Sequence, residues 1–157
     1  MDRLGRALLL APVVFVAHVV EESHGFVPWF NGHVGRGITP DLFWSVNLGG
    51  LVITLLALGV FFAARSAASA TLVLGWLACL MLANGVFHIA GAIVDRGYVP
   101  GVITAVLLYL PYFAWISREL IVRRLAPTAV LAAGSVVGAI PMLVHGYLIL
   151  FRGSRLF

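Results

Sequence analysis

A histidine and two glutamates stand within five residues of one another near the end of the first long apolar run, ALLLAPVVFVAHVVEE: His18, Glu21 and Glu22. If that run is a helix, His18 and Glu22 are i and i+4, and His18 and Glu21 are i and i+3. Either carboxylate can then reach what the imidazole reaches. Imidazole nitrogen and carboxylate oxygen are ordinary ligands for Zn and non-haem Fe. Helices of the H-E-x-x-H kind place two ligands at i and i+4 and a glutamate beside one of them as general base; the reversed form is H-x-x-E-H. Here the reversed pattern carries glutamate at its last ligand position. On this reading His18 and Glu22 bind a divalent transition metal, Zn or Fe, and Glu21 is the base.

Further polar residues within the apolar runs are few: Asn47, Asn84, His88, Tyr109, Tyr112 and His145. A helical rise of ~1.5 Å per residue allows each to be placed by depth. Counted from the side opposite the N-terminus, His18, Asn47, His88 and His145 each lie ~9 Å into their helices, and Tyr109 ~14 Å. Glu21 and Glu22 are shallower, and Asn84 is one turn deeper. Helices of alternating direction thus bring their polar side chains to one layer. His88 and His145 are expected to complete the metal shell. Asn84, one turn from His88 on the same face, is expected to hydrogen-bond a ligand or the substrate.

The elements that must position these groups lie in a bilayer. Of 157 residues, 62% are hydrophobic and 10% charged, against roughly 45–50% apolar for a soluble domain. Ionisable groups at bilayer depth cost about 3 kcal/mol each on insertion scales, and are read as functional for that reason. The net charge of +4 comes from arginines at the ends of apolar runs, where they meet headgroups, so nucleic acid is not an expected partner. The single cysteine, Cys79, supports neither an intramolecular disulfide nor a thiolate metal motif.

A span needs about 20 apolar residues, and five segments qualify, at roughly 5–24, 41–64, 70–94, 100–123 and 126–151. The expected fold is all-α: one transmembrane domain over residues 1–157, a five-helix bundle. Arg3 and Arg6 before LLLAPVVFVA resemble a signal peptide, but no small-residue cleavage site follows, so the run reads as an uncleaved span. Arg3, Arg6, Arg65, Arg118, Arg123 and Arg124 share the N-terminal side, against Arg36, Arg96, Arg152 and Arg155 opposite. This bias is expected to place the N-terminus in the cytoplasm, with the chain in a bacterial plasma membrane.

Pro12, Pro111 and Pro141 are expected to kink their helices. Gly134 and Gly138 form a small-xxx-small pair that suits packing within the bundle or, alternatively, a homo-oligomer. Residues 25–40 read as an interfacial loop whose Phe26, Trp29 and Phe30 could cover the site, hinged at Gly32, Gly35 and Gly37. His24 and His33, in that loop, are expected to meet solvent or headgroups. Glu119 is expected to pair with Arg118 at the membrane surface.

The motif His18-x-x-Glu21-Glu22, with Asn84-x-x-x-His88 in the third span, resembles a family of small bacterial integral-membrane proteins named for the HXXEE motif. The resemblance covers most of the chain. It implies a site at these residues and specifies no reaction. By architecture alone, small sterol-isomerase-like membrane proteins are similar in using five spans with polar His, Glu and Asn.

Three functions follow as expectations. The leading one is a metal-dependent membrane enzyme that hydrolyses or oxidises a lipid-soluble, isoprenoid-like or other lipid substrate, with Glu21, Asn84 and Tyr109 as catalytic groups and His18, Glu22, His88 and His145 as metal ligands. The second is a metal-free acid–base isomerase or cyclase, in which a neutral carboxylic acid protonates an alkene or epoxide and Tyr109, Tyr112 and Trp44 stabilise a carbocation. The third is a non-enzymatic metal-binding or structural membrane protein. A conduit would carry polar residues through its full depth, and the half nearer the N-terminus is almost wholly apolar.

Overall fold

The computed structural model describes residues 2–156. Its helices are α1 (Arg3–Ser23), α2 (Phe26–His33), α3 (Pro40–Ala64), α4 (Ala67–Asp95), α5 (Val102–Val122) and α6 (Thr128–Arg152). Among the described residues there is no strand. Five of these helices, all but α2, are long and apolar enough to cross a membrane, so the all-α bundle expected from the apolar runs is the fold that forms. Helix α2 occupies the stretch read as an interfacial loop.

Helix starts follow capping chemistry. The Thr39 side chain accepts from the Leu42 N–H ahead of Pro40, and Ser66 and Ser69 form a reciprocal capping box at the start of α4. Helix α4 is the centre of the bundle and packs on α3, α5 and α6, while α1 packs on α3 and α5. The α4–α6 contact depends on glycine. A Cβ at Gly138 would overlap the Gly75 carbonyl oxygen, and one at Gly134 would lie 2.5 Å from Thr71 Cγ2. The small-xxx-small pair is therefore used inside the bundle.

Prolines disturb the helices in different ways. Helix α1 is interrupted at Leu9 and Leu10, just before Pro12. Pro12 has no N–H to offer the Leu8 carbonyl, and the Tyr112 hydroxyl there donates to the Ala7 carbonyl at 2.9 Å and reaches the Leu8 carbonyl at 3.4 Å. Residues Ala105–Tyr109 widen into a π-helical turn ahead of Pro111. A second π-helical stretch, Ala78–Ala83, interrupts α4 without any proline. Pro141 lies within the unbroken α6.

The two ends of the bundle differ. Around the N-terminus, Leu4 and Leu8 of α1, Leu74 and Leu77 of α4, and Ile116 and Leu120 of α5 are almost completely buried. In lipid, close packing rather than exclusion of water holds such a cluster. At that membrane surface Glu119 is buried and meets Arg123 at 3.3 Å and both Arg3 and Arg118 at 3.8 Å, a wider network than a pair with Arg118 alone. The outward faces expose large apolar side chains such as Leu56, Ile93, Leu107 and Val137, as a lipid-facing surface would. The other end of the bundle holds the polar residues.

Candidate metal centre

Helix α1 presents His18 and Glu22, and α4 presents His88. His88 Nε2 lies 3.0 Å from Glu22 Oε1, and His18 Nε2 lies 3.4 Å from the same oxygen. One ligand atom from each of the three lies within 4.8 Å of the other two. The residues are 1%, 5% and 0% exposed for His18, Glu22 and His88. The imidazole rings meet edge to face with centroids 4.9 Å apart. Close as they are to Glu22, neither Nε2 makes a hydrogen bond. Buried polar groups are nearly always hydrogen-bonded, so a cluster that is not needs an explanation.

The hydrogen bonds behind His18 fix its tautomer. Thr104 Oγ1 donates to Glu21 Oε2 at 2.5 Å and lies 2.8 Å from His18 Nδ1. With its one proton committed to the carboxylate, the hydroxyl can only accept from His18, so Nδ1 carries the hydrogen. In the neutral imidazole Nε2 then carries the lone pair, on the side of Glu22. This is the carboxylate-backed arrangement, relayed through a hydroxyl, that orients metal-binding histidines. Glu21 is held firmly in that supporting position. It accepts from the Tyr98 hydroxyl at 2.9 Å, the Ile103 N–H at 3.1 Å and the Thr104 N–H at 2.7 Å, besides the Thr104 hydroxyl. Burial, with the Glu21 carboxylate beside it, pushes the Tyr98 hydroxyl up from the ordinary tyrosine range, so it remains a donor. Glu21 and Glu22 thus face different partners, and Glu21 is turned to the start of α5 and not to the point shared by His18, Glu22 and His88. The role of base, expected for it from sequence, does not match these surroundings.

His145 also stands apart from the triad. Its Nδ1 accepts from the Leu156 N–H at 3.1 Å, and its ring stacks against Phe30 with centroids 6.3 Å apart. It lines a cavity of about 130 Å³ beside Glu22, shared with Phe26 and Phe30. The structure brings His18, Glu22 and His88 together and leaves His145 outside their cluster.

Asn84 and Tyr109 do reach the site. Each sits at the end of a π-helical stretch, Asn84 directly after Ala78–Ala83 and Tyr109 as the last residue of Ala105–Tyr109. Such widened turns recur at functional sites because they re-aim a side chain. The Tyr109 ring stacks on His18 with centroids 4.0 Å apart. Its hydroxyl and Asn84 Oδ1 are buried without a hydrogen-bond partner. Both residues, with His18, Glu22 and Asn47, line one end of a crevice of about 780 Å³.

Sequence reasoning missed Thr104, Tyr98 and Gly101. Gly101 has φ +98°, and a Cβ there would lie 2.6 Å from His88 Cε1 and 3.0 Å from Glu22 Cγ. Only glycine lets the chain pass this close. The one signal was Pro100-Gly101 at the start of the fourth apolar run, which marks a turn and nothing more.

Helix α2 is fastened down. Trp29 Nε1 donates to Asp95 Oδ2 at 2.6 Å, and His33 Nε2 lies 3.1 Å from Asp95 Oδ1. His33 thus pairs with a carboxylate, while His24 Nδ1 donates to the Val20 carbonyl at 2.7 Å. Phe26 and Phe30 line the cavity beside Glu22, and Trp29 anchors the helix to the end of α4.

No curated protein and no solved structure matches this chain. A family model does, over residues 9–116, described as a protein of unknown function with HXXEE motif. That stretch contains His18, Glu21, Glu22, Asn84, His88, Thr104 and Tyr109, and it covers more than half of the chain, so the protein belongs to the HXXEE family.

Proposed function

We propose that the chain is a metal-dependent membrane enzyme acting on a lipid-soluble substrate, with His18, Glu22 and His88 as its protein ligands. One observation carries the reading. His18 Nε2 lies 3.4 Å from the Glu22 carboxylate, in a buried site, with no hydrogen bond between them. With the imidazole neutral, two acceptors that close and out of water repel each other. A cation between them turns the repulsion into ligation, and His88 Nε2 at 3.0 Å from the same oxygen supplies a third donor. Two histidines and one carboxylate suit catalytic Zn, as His₂Glu, and non-haem Fe(II) equally.

Such an ion, when bound, supplies Lewis acidity and lowers the pKa of bound water, or handles oxygen in the case of Fe. The chain's own residues do the rest. Thr104 and Glu21 hold the His18 tautomer. Tyr109 offers a buried hydroxyl and Asn84 a buried carbonyl to a substrate beside the triad. The arginine bias supports an N-terminus in the cytoplasm and a site beneath the opposite leaflet. The acid–base alternative needs a carboxylic acid free to face substrate, but Glu21 accepts four hydrogen bonds and Glu22 faces two imidazoles.

Elemental analysis of protein purified without added metal tests the reading. About one equivalent of Zn or Fe per chain is expected, lost in His18→Ala and in His88→Ala. Metal-free protein that stays metal-free when Zn or Fe(II) is supplied would overturn it.

A further inference from the structure

We infer that the substrate is a single long hydrocarbon chain with an oxygen function at one end, held in the crevice between α3 and α6; this rests on reading the triad as the reactive centre.

The crevice of about 780 Å³ starts at His18, Glu22, Asn47, Asn84 and Tyr109 and runs along α3 to Val60. From Val46 to Val60 is fourteen residues of helix, or ~21 Å. One leaflet contributes about half of a ~30 Å hydrocarbon core. The groove is therefore longer than a leaflet is deep, and it begins inside the bilayer. A phospholipid anchored at the near surface could not place its head at the triad and its tail at Val60. A free chain with a small polar end could do both.

The walls agree with this occupant. Polar groups are confined to the triad end, and the remaining lining is apolar apart from Cys79. Open space lies at Gly49, where a Cβ would meet nothing within 4 Å. At the polar end, the fully buried Tyr109 has an unpartnered hydroxyl to donate, and Asn84 Oδ1 is an unpartnered acceptor. An alcohol satisfies both, since its oxygen accepts from the tyrosine and its hydrogen goes to the amide carbonyl. Exposed Ile53, Leu56 and Leu72 stand along the rim, so a chain can enter sideways from lipid between α3 and α6 without moving α2.

The test uses the full chain in phosphatidylcholine vesicles with a trace of hexadecanol carrying a mid-chain diazirine. After irradiation, crosslinks are mapped by peptide. Labelling is expected to concentrate on 49–60 and 72–80 at least fivefold over the outward faces at Ile93 and Leu107. Excess hexadecanol should also slow alkylation of Cys79 by N-ethylmaleimide. A Cβ at Gly49 meets nothing within 4 Å, so the side chain of Gly49→Trp starts into open space at the groove wall. It should reduce labelling severalfold while metal content, read on the same sample, stays at the wild-type value. Uniform labelling around the bundle, or a diazirine sterol that outcompetes the alcohol for the groove, would overturn the inference. Metal-free protein that still labels in the groove would remove the metal and leave the chain-binding inference standing.

Discussion

His18 Nδ1 lies 2.8 Å from Thr104 Oγ1, and this contact decides which imidazole nitrogen faces Glu22. Without the hydroxyl, the ring is free to take its other tautomer and to turn. Thr104→Val keeps the shape and removes the acceptor. Metal affinity, measured by chelator competition, is expected to fall about 10–100-fold, the usual loss for a group that orients a ligand. Thr104→Ser should retain most of it. Equal affinity in wild type and Thr104→Val would mean that the hydroxyl does not set the tautomer.

The two glutamates should separate by assay. Glu22→Gln removes the shared carboxylate, so bound metal should drop to background. Glu21→Gln keeps the ligands but turns an amide NH₂ towards groups that donate to it, costing about 1–3 kcal/mol of stability. It should lower the melting temperature, with metal still bound at saturating concentration. The same melting temperature in wild type and Glu21→Gln would show that the four hydrogen bonds to this carboxylate do not hold α1 to the start of α5.

How much of this was visible in the chain depends on what kind of distance each contact spans. Five spans and the His18, Glu22 and His88 cluster were legible, because apolar length marks a helix and helical rise converts position into depth. Depth does not give direction, however. His145 shares the layer and points to Phe30 and Leu156. Glu21 and Glu22 are ~100° apart on the helix, and only the fold shows that the start of α5 takes the first and the triad the second. Thr104 and Gly101 matter because the α4–α5 connection folds back against α1, which no local pattern encodes. The π-helical turn at Ala78–Ala83 has no proline or other marker, although it aims Asn84.

Gly101→Ala should harm the site more than its small size suggests. The backbone there has φ +98°, and the added methyl would meet His88 and Glu22. Left-handed strain of about 1–2 kcal/mol adds to displacement of two ligands. Reduced thermal stability and at least tenfold weaker metal binding are expected. Gly97→Ala, whose Cβ would find the Asp95 carbonyl oxygen at an ordinary 3.7 Å, is the control. Comparable metal binding in the two variants would show that His88 does not depend on the close passage of residue 101.

Removing bound metal should loosen the bundle. A ligand present at about a thousand times its dissociation constant stabilises the folded state by roughly 4 kcal/mol. Treatment with a chelator is expected to lower the melting temperature of the detergent-solubilised protein, and Zn or Fe(II) should restore it. His18→Ala should melt at one temperature with or without chelator. If wild type behaves like that variant, the triad holds no structural ion under those conditions.

Tyr109→Phe should divide stability from function. The Tyr109 hydroxyl is fully buried and has no hydrogen-bond partner, and leaving a buried polar group unsatisfied costs about 1–3 kcal/mol. Phenylalanine keeps the ring stacked on His18 and removes that cost. The variant is therefore expected to melt at the same temperature as wild type or higher, with unchanged metal content. It should nevertheless lose most of its retention of the diazirine alcohol, because the donor facing the polar end of the groove is gone. A lower melting temperature would mean that the hydroxyl is bonded within the folded protein, and its use in holding a substrate would then have to be abandoned.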